Sequence, residues 1–327
     1  MTGAGRGPGR GPGPGPRALV TGGAGFIGSH LVDRLLADGY GVGVVDDLST
    51  GSAGNIASGV RFERVDIGDA DSLREVVAGF RPELVFHLAA QTDVRRSIRE
   101  PEFDIKVNVL GALNVLRAAV AAGARRIVYA SSAAVYGDPE RLPVSETAAT
   151  RPISEYGASK LAFEHYLSAH AARGLIEYAA LRYANVYGPR QRGDGEAGVV
   201  AIFTQRMLAG EPVTIFGDGA KTRDYVYVGD VVEATLRAAA GPSGVVANVA
   251  WGQEVSDLEL FREVAAATGY TKGPTHAGDR RGDIARICLD PAAARRIWDW
   301  RASVALRDGV RRVVEHARTK PSARPHS

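Results

Sequence analysis

The chain has 327 residues, of which 45% are hydrophobic and 24% are charged, and its formal net charge at pH 7 is +3. This length fits two domains or one large α/β unit with a smaller lobe, and the near balance of charge gives no reason to expect a nucleic-acid partner. The single cysteine, Cys288, excludes an intrachain disulfide and a CxxC metal or redox motif, and it fits a cytoplasmic protein.

The two ends of the chain have the composition of disordered segments. The first 16 residues, MTGAGRGPGRGPGPGP, lack the apolar core of a signal peptide. Residues 317–327 combine proline, serine and charge without an apolar period, and such segments do not offset the entropy of ordering. We therefore expect disordered tails over 1–16 and 317–327. No apolar run approaches the roughly 20 residues needed to cross a bilayer, so we expect no membrane partner.

Between the tails, short β-branched runs alternate with helical patterns. Helical patterns at 112–123 and 158–174 carry apolar residues three and four positions apart and end in glycine. The alternation predicts an α/β fold, a Rossmann-type doubly wound parallel sheet. The predicted strands cover residues 17–21, 41–46, 60–66, 83–89, 125–132, 177–183 and 245–250.

The alternation weakens after about residue 184, where the intervals between elements lengthen. Segments 188–198 and 269–283 are predicted as long loops. We expect residues 17–184 to form a dinucleotide-binding domain whose sheet is completed by later strands. Residues 185–316 are expected to form mainly a smaller substrate-binding lobe.

A glycine-rich turn follows the first predicted strand. The glycines at 22, 23, 25 and 28 satisfy the GxGxxG spacing and open a helix near Phe26. Bare backbone at such a turn lets N–H groups and the positive helix terminus reach a pyrophosphate. The second strand ends in Asp46, where a carboxylate would bind the adenosine ribose and repel a 2′-phosphate. The pattern predicts bound NAD rather than NADP, with Asp47 as a competitor for the role of Asp46.

Two further segments carry groups suited to proton transfer. In SEYGASK, Tyr156 and Lys160 are four residues apart at the start of a helix, so their side chains share one face. An ammonium beside a phenol favours the phenolate, and we expect Lys160 to lower the pKa of Tyr156. Ser131 and Ser132 end a predicted strand at the edge where open α/β sheets bind ligands. His87, in a buried strand, is predicted to be a hydrogen-bonded core residue.

The chain resembles the extended short-chain dehydrogenase/reductase family, and within it most closely the UDP-glucose 4-epimerases. The resemblance covers residues 17 to about 316. It rests on the segments TGGAGFIGSH, VVDDL, DIGD, FHLAA, SSAAVYG, YGASK, RYANVYGP and TRDYVYVGD.

The resemblance implies roles for individual residues. Tyr156 is implied as the catalytic base, Lys160 as the group that lowers its pKa and binds the nicotinamide ribose, and Ser132 as the hydroxyl near the sugar O4. Asp66 and Ile67 are implied to flank the adenine. The implied cofactor-binding residues are Gly22, Gly25, Phe26, Ile27, Gly28, Asp46, Asp47, Asp66, Ile67, Leu88, Ala89, Ala90, Asn108, Tyr156 and Lys160.

The same resemblance implies a site for a nucleotide sugar. Asn185, Arg223 and Arg280 match positions that hold the substrate diphosphate, with Arg281 as an alternative to Arg280. Guanidinium groups suit phosphate oxygens in any case. Ile287 matches a position that borders the sugar. The implied substrate-binding residues are Thr92, Ser132, Tyr156, Asn185, Val199, Phe216, Arg223, Arg280, Asp283 and Ile287.

Departures from related enzymes narrow the expected reaction. Nucleotide-sugar 4,6-dehydratases carry an acidic pair where this chain has Ala133 and Ala134, so dehydration is disfavoured. The resemblance implies NAD-dependent interconversion of UDP-glucose and UDP-galactose through a transient 4-keto sugar. The alternatives are another nucleotide sugar (UDP-N-acetylglucosamine, UDP-glucuronate or a dTDP-sugar) and a non-catalytic NAD-binding sensor. No HExxH or other metal spacing is present, and apolar helices over 103–121 and 157–172 predict a homodimer.

Overall fold

The computed structural model describes residues 15–193, 198–279 and 284–319. The strands are β1 (Arg17–Thr21), β2 (Gly41–Val45), β3 (Arg61–Glu63), β4 (Leu84–His87), β5 (Arg126–Ser132), β6 (Glu177–Tyr183), β7 (Asn185–Tyr187), β8 (Thr214–Phe216), β9 (Thr222–Arg223), β10 (Tyr225–Tyr227), β11 (Val245–Val249), β12 (Val255–Ser256) and β13 (Thr275–Ala277).

The helices cover both faces of the main sheet and the smaller lobe. They are α1 (Phe26–Ala37), α2 (Ala70–Phe80), α3 (Val94–Arg99), α4 (Pro101–Ile105), α5 (Ala112–Ala121), α6 (Glu155–Ala172), α7 (Val199–Leu208), α8 (Val228–Ala240), α9 (Asp257–Thr268), α10 (Ala292–Trp298) and α11 (Leu306–Thr319). A π-helical turn, Lys106–Gly111, joins α4 to α5, and 3-10 turns cover Ala53–Asn55 and Ala133–Tyr136.

Seven parallel strands form the main sheet in the order β11-β6-β5-β4-β1-β2-β3. All seven predicted strands are confirmed in it, and the central strands β1, β4 and β5 are largely buried on both faces, as in parallel sheets covered by helices. Successive residues of a strand point to opposite faces: Ala18 and Val20 pack with α1, α8 and α10, whereas Leu19 packs with α2, α5 and α6. The doubly wound α/β fold is thereby confirmed.

The smaller lobe has a hydrophobic core of its own. It joins α7, α9 and α11 through buried side chains such as Phe203, Phe261 and Val313. Both α8 and β11 lie after residue 184 in the chain yet pack with the main sheet, so the sheet is completed by a late segment.

Two details differ from the sequence-based expectations. The segment 269–283 is not wholly a loop, because β13 lies within it and pairs with β8. The tail predicted from residue 317 is wrong for residues 317–319, since α11 continues to Thr319 and buries Val310, Val313 and Val314 along its inner face; the rest of that tail and residues 1–14 lie outside the described residues. Among the described residues, no helix is long and apolar enough to cross a membrane.

Candidate active site

The glycine turn between β1 and α1 leaves backbone open at the carboxyl edge of the sheet. Gly22 has φ +73°, and a Cβ there would lie 2.7 Å from the Ala89 nitrogen, so only glycine fits. A Cβ at Gly28 would overlap the Gly22 carbonyl oxygen. Gly25 is the N-cap of α1 and supplies no capping side chain, and Phe26 and Ile27 form the first helical positions. The helix terminus is therefore lined by bare backbone, which suits a phosphate group.

Asp46 follows β2 and contacts this turn. Its Oδ2 accepts a hydrogen bond from the Ala24 nitrogen (2.9 Å) and its Oδ1 accepts one from the Leu48 nitrogen (2.8 Å). Burial raises the pKa of Asp46, although these two backbone N–H groups oppose the rise. Asp47 is exposed, and its Oδ1 accepts bonds from the nitrogen and hydroxyl of Ser49. Of the two carboxylates, Asp46 is the one in contact with the glycine turn.

Residues after β3 and β4 extend the same edge. Asp66 accepts a hydrogen bond from the Gly68 nitrogen, and Ile67 is buried against Gly111. Leu88, Ala89 and Ala90 follow β4, and the Leu88 nitrogen donates to the Thr21 oxygen.

Asn108 fixes the chain just after this segment. Its side-chain oxygen accepts from the Gln91 nitrogen, and its Nδ2 donates to the Gln91 oxygen, both at 2.9 Å. Asn108 is 3% exposed. Asn108 therefore fixes the backbone at Gln91, shortly after the residues that end β4.

His87 is a core residue, as predicted. It is 1% exposed and its Nδ1 shares a hydrogen bond of 2.7 Å with the Thr21 hydroxyl. Burial, with a smaller contribution from the Lys160 charge, lowers the pKa of His87 to about 3, so the ring is neutral.

Ser132, Tyr156 and Lys160 come together at the end of β5 and the start of α6. The Ser132 hydroxyl lies near the Tyr156 side chain and opposes the rise of the Tyr156 pKa. Lys160 Nζ lies 5.7 Å from the centroid of the Tyr156 ring and donates to the Ala130 oxygen at 3.0 Å. The four-residue spacing on one helix face therefore produces the proximity that the sequence predicted.

The pKa of Tyr156 is raised in this structure, whereas the sequence spacing predicted that Lys160 would lower it. Burial raises the pKa of Tyr156 to about 12, and the hydrogen bond with Ser132 only partly opposes the rise. Burial also lowers the pKa of Lys160 to about 8, with Asp104 opposing that fall. The spacing predicted that Lys160 lies near Tyr156, but a local spacing carries no measure of the desolvation that raises the Tyr156 pKa.

Ser131 and Ser132 have different surroundings. Ser131 is 3% exposed and donates a hydrogen bond to the Glu164 carboxylate, whose other partner is Arg182 at 2.7 Å. Ser131 therefore belongs to a buried ion-pair network, while Ser132 faces Tyr156.

The residues predicted to bind the diphosphate are only partly described. Strand pairing of β7 with β10 sets Asn185 opposite Tyr225, and the Ile287 nitrogen donates to the Thr222 oxygen beside Arg223. The Arg223 Nη1 donates to the Thr222 oxygen at 2.8 Å. Arg280, its alternative Arg281 and Asp283 lie outside the described residues.

The other predicted substrate residues sit at element ends. Thr92 is exposed between β4 and α3, Val199 begins α7, and Phe216 ends β8. Ile287 is 5% exposed in an apolar cluster that also contacts Ala133, the residue after Ser132. Ile287 is thus the member of this set that shares a cluster with the Ser132 segment.

Asp224 is a buried carboxylate next to Arg223 that the sequence analysis did not identify. Asp224 is 1% exposed and accepts hydrogen bonds from the nitrogens of Trp251, Gly252 and Leu289. Burial raises the pKa of Asp224 to about 6, although these bonds oppose the rise. Through its bond with the Leu289 nitrogen, Asp224 connects the segment after Arg223 to the segment after Ile287. In the sequence, the signal that could have identified Asp224 is its position between Arg223 and the YVYV run that begins at Tyr225.

Comparisons with known proteins agree with this geometry. The family described as NAD dependent epimerase/dehydratase matches residues 18–250. A UDP-glucose 4-epimerase of Mycolicibacterium smegmatis is 48% identical over 312 residues, 93% of this chain and 99% of that protein. The crystal structure of Thermotoga maritima UDP-glucose 4-epimerase with UDP-glucose is similar with a TM-score of 0.91 at 44% identity, over 92% of this chain and 98% of that chain. The UDP-glucose 4-epimerase of Thermus thermophilus in complex with NAD gives a TM-score of 0.88 at 45% identity, over 93% of this chain and 99% of that chain.

Proposed function

Since the chain belongs to the NAD dependent epimerase/dehydratase family, we propose that it interconverts UDP-glucose and UDP-galactose through a transient 4-keto sugar, with NAD held throughout. The observation that carries the proposal is the group formed by Ser132, Tyr156 and Lys160 at the carboxyl edge of the sheet, the edge that also holds the glycine turn. A non-catalytic NAD sensor would need none of these three side chains in contact.

The described residues fit NAD. Side chains at Gly22 or Gly28 would fill the turn, and the bare start of α1 suits the pyrophosphate. Asp46 would bind the adenosine ribose, with Asp47 nearby. Asp66 and Ile67 would flank the adenine. When bound, NAD would supply the hydride acceptor for the sugar C4 and, once reduced, the hydride donor for the second half-reaction.

The chain's own residues would then handle the proton and the position of the sugar. Ser132 and Tyr156 are placed to bind the O4 hydroxyl together, and Tyr156 would take its proton as C4 is oxidised and give it back in the second half-reaction. Tyr156 must therefore ionise well below its present pKa of about 12. The Lys160 ammonium, 5.7 Å from the Tyr156 ring, is the charge of this chain that favours the phenolate.

The keto sugar must turn between the two half-reactions without leaving. We propose that Asn185 and Arg223, with Arg280 from outside the described residues, hold the diphosphate while the ring swings. Ile287 is proposed to border the sugar, supported by its packing in the cluster that contacts Ala133. Thr92, Val199, Phe216 and Asp283 complete the proposed substrate site.

The wider organisation is part of the proposal. Residues 17–184 would carry the NAD site and residues 185–316 mainly the nucleotide-sugar site, supported by the separate core of α7, α9 and α11. A cytoplasmic location is supported by Cys288, which is a free, buried thiol.

The reaction itself is tested with the purified protein and UDP-galactose, with no cofactor added. Anomeric-proton NMR should show UDP-glucose forming to an equilibrium mixture, and mass spectrometry of the denatured supernatant should recover NAD in place of NADP. Turnover that requires added cofactor, or recovery of mainly NADP, would contradict the assignment of the glycine turn and Asp46.

A homodimer is proposed from the outer faces of α3, the α4 to α5 segment and α6. Ile98, Ile105 and Leu110 are 53%, 48% and 53% exposed, and Tyr166 is 41% exposed, so large apolar side chains share one set of packed helices. Light scattering should give twice the chain mass of 34.5 kDa.

A charge placed on this surface should dissociate the dimer. Leu110→Glu is expected to give the monomer mass, because an unpaired carboxylate at an apolar interface is costly to bury. The control is Leu175→Glu, an equally simple change at an exposed leucine after α6, which should stay dimeric. A wild-type monomer at micromolar concentration would overturn the proposal.

A further inference from the structure

The backbone of Tyr156 is held by a side chain from another helix, a contact that the mechanism above does not use. Tyr156 is the second residue of α6, and the first N–H groups of a helix have no partner within the helix. Its nitrogen donates to the Ser97 Oγ of α3 at 3.1 Å. Ser97 is 0% exposed, and its hydroxyl donates in turn to the Val94 oxygen at 2.6 Å. The Ser97 hydroxyl is thus fixed as both a donor and an acceptor.

The N-cap of α6 serves a different N–H group. Ser154 is that N-cap, and its Oγ accepts from the Gly157 nitrogen at 3.2 Å. A capping side chain reaches the second or the third N–H group of a helix. Because Ser154 bonds to the third, the second, which is that of Tyr156, is satisfied from α3 by Ser97.

The start of α6 also packs closely against the turn that follows Ser132. A Cβ at Gly157 would lie 2.5 Å from the Ala134 oxygen, so α6 approaches this turn as closely as glycine allows. The turn is fixed by Ser132, whose Oγ accepts from the Ala134 nitrogen at 3.2 Å. The backbone is therefore held at Tyr156 by α3 and one residue later by the turn that begins at Ser132. A shift of α6 would change the position of Tyr156 relative to Ser132.

Helix α3 is itself anchored at the sheet edge that follows β4. It has six residues, and a helix of this length depends on tertiary contacts. Its N-cap Asp93 accepts from the Arg96 nitrogen at 2.9 Å, and the Asp93 backbone oxygen accepts from Gln91 Nε2 at 2.8 Å. Gln91 is the residue whose backbone Asn108 fixes. A series of hydrogen bonds and one short helix therefore connects Asn108 to Tyr156.

We propose that Ser97 is a positioning residue of the reaction, which holds the Tyr156 backbone in place relative to Ser132 and to the edge that binds the cofactor. This inference rests on the proposed function. Ser97 would act through the backbone of Tyr156 and not by contact with the sugar. A reacting group displaced by about 1 Å can cost about 10² in rate, so loss of this bond should affect the chemical step more than binding.

The test is Ser97→Ala, which removes the hydroxyl and deprives the Tyr156 N–H group of this acceptor. We expect kcat for UDP-galactose to fall about ten-fold, with KM within about two-fold of wild type, because the geometry of proton transfer changes while the substrate-binding residues do not.

Thr235→Val is the matched control. Thr235 is 1% exposed, its hydroxyl donates to the Val231 oxygen at 2.8 Å, and it shares a bond of 2.8 Å with the Tyr183 hydroxyl. This change also removes one buried hydroxyl that links a helix to another element. Its kcat should stay within about two-fold of wild type.

A second measurement needs no turnover. The chain has 11 tyrosines, so tyrosine labelled with ¹³C at Cζ gives few NMR signals, and Tyr156→Phe assigns the signal of interest. In Ser97→Ala the Tyr156 signal should shift by more than its line width. In Thr235→Val it should stay in place, and the signal of Tyr183 should move instead.

A kcat of Ser97→Ala within about two-fold of wild type, an equal fall in Thr235→Val, or an unmoved Tyr156 signal would overturn the proposal and leave Ser97 a structural residue. If Ser97→Ala does not fold, Ser97→Cys, whose sulfur is a weak acceptor, is measured in the same way. A wild-type protein without epimerase activity would refute the proposed function, whereas the NMR signal tests Ser97 separately.

Discussion

Replacing Tyr156 with phenylalanine is expected to lower the rate of sugar interconversion by about 10² to 10⁴, because a positioned general base contributes that much. The change removes only the hydroxyl near Ser132, so the ring should keep its packing. NAD content and thermal stability should stay near wild type. The measurement is the steady-state rate of UDP-galactose conversion together with the cofactor recovered on denaturation.

Tyr129→Phe is the matched control for this change. Tyr129 also lies near Lys160, whose Nζ is 5.0 Å from its ring centroid, but its hydroxyl is buried without a hydrogen-bond partner among the described residues. Losing that hydroxyl should leave the rate within a few-fold of wild type. If Tyr156→Phe retained more than about a tenth of the activity, another group would have to take the O4 proton.

The second large effect is on stability and concerns the buried pair of Arg182 and Glu164. Their side chains are 7% and 5% exposed and make two hydrogen bonds, at 3.0 and 2.7 Å. Arg182 also donates to the Tyr136 hydroxyl, which donates to Asn248. Arg182→Met would leave the Glu164 charge buried and uncompensated. We expect a loss of about 3–5 kcal/mol in the free energy of unfolding.

Denaturant unfolding of three variants separates charge from packing. Arg74→Met breaks the exposed pair with Asp71, where both side chains are more than half exposed, and should cost less than about 1 kcal/mol. The double variant Arg182→Met with Glu164→Leu should recover much of the loss, because no charge is left buried. Equal losses in the single and double variants would show that the packing of Arg182, and not its charge, stabilises the fold.

Local sequence patterns predicted the sheet and the centre of the site well. Most of the seven strands are short runs rich in β-branched or aromatic residues, which local sequence patterns are able to reveal. The same holds for the glycine turn and for Tyr156 and Lys160, since a four-residue spacing on a helix fixes their relative direction.

Features that depend on distant partners were not predicted. Arg182 pairs with Glu164 and Tyr136, and Asp224 gathers backbone donors from Trp251 to Leu289, which no local pattern reveals. The π-helical turn is likewise a product of packing. The prediction for the pKa of Tyr156 was wrong for the same reason, because desolvation is set by the whole fold and not by the neighbour four residues away.

In the proposed reaction the hydrogen removed from C4 returns to the same carbon without exchange, because the cofactor and the keto sugar both stay bound. The direct measurement uses UDP-galactose carrying deuterium at C4, incubated in ordinary water with the purified protein. We predict UDP-glucose that retains deuterium at C4, seen as a missing C4 proton signal in NMR and an unchanged product mass. Replacement of the deuterium by hydrogen from water would contradict the account, since it would mean that C4 exchanges with solvent during the reaction.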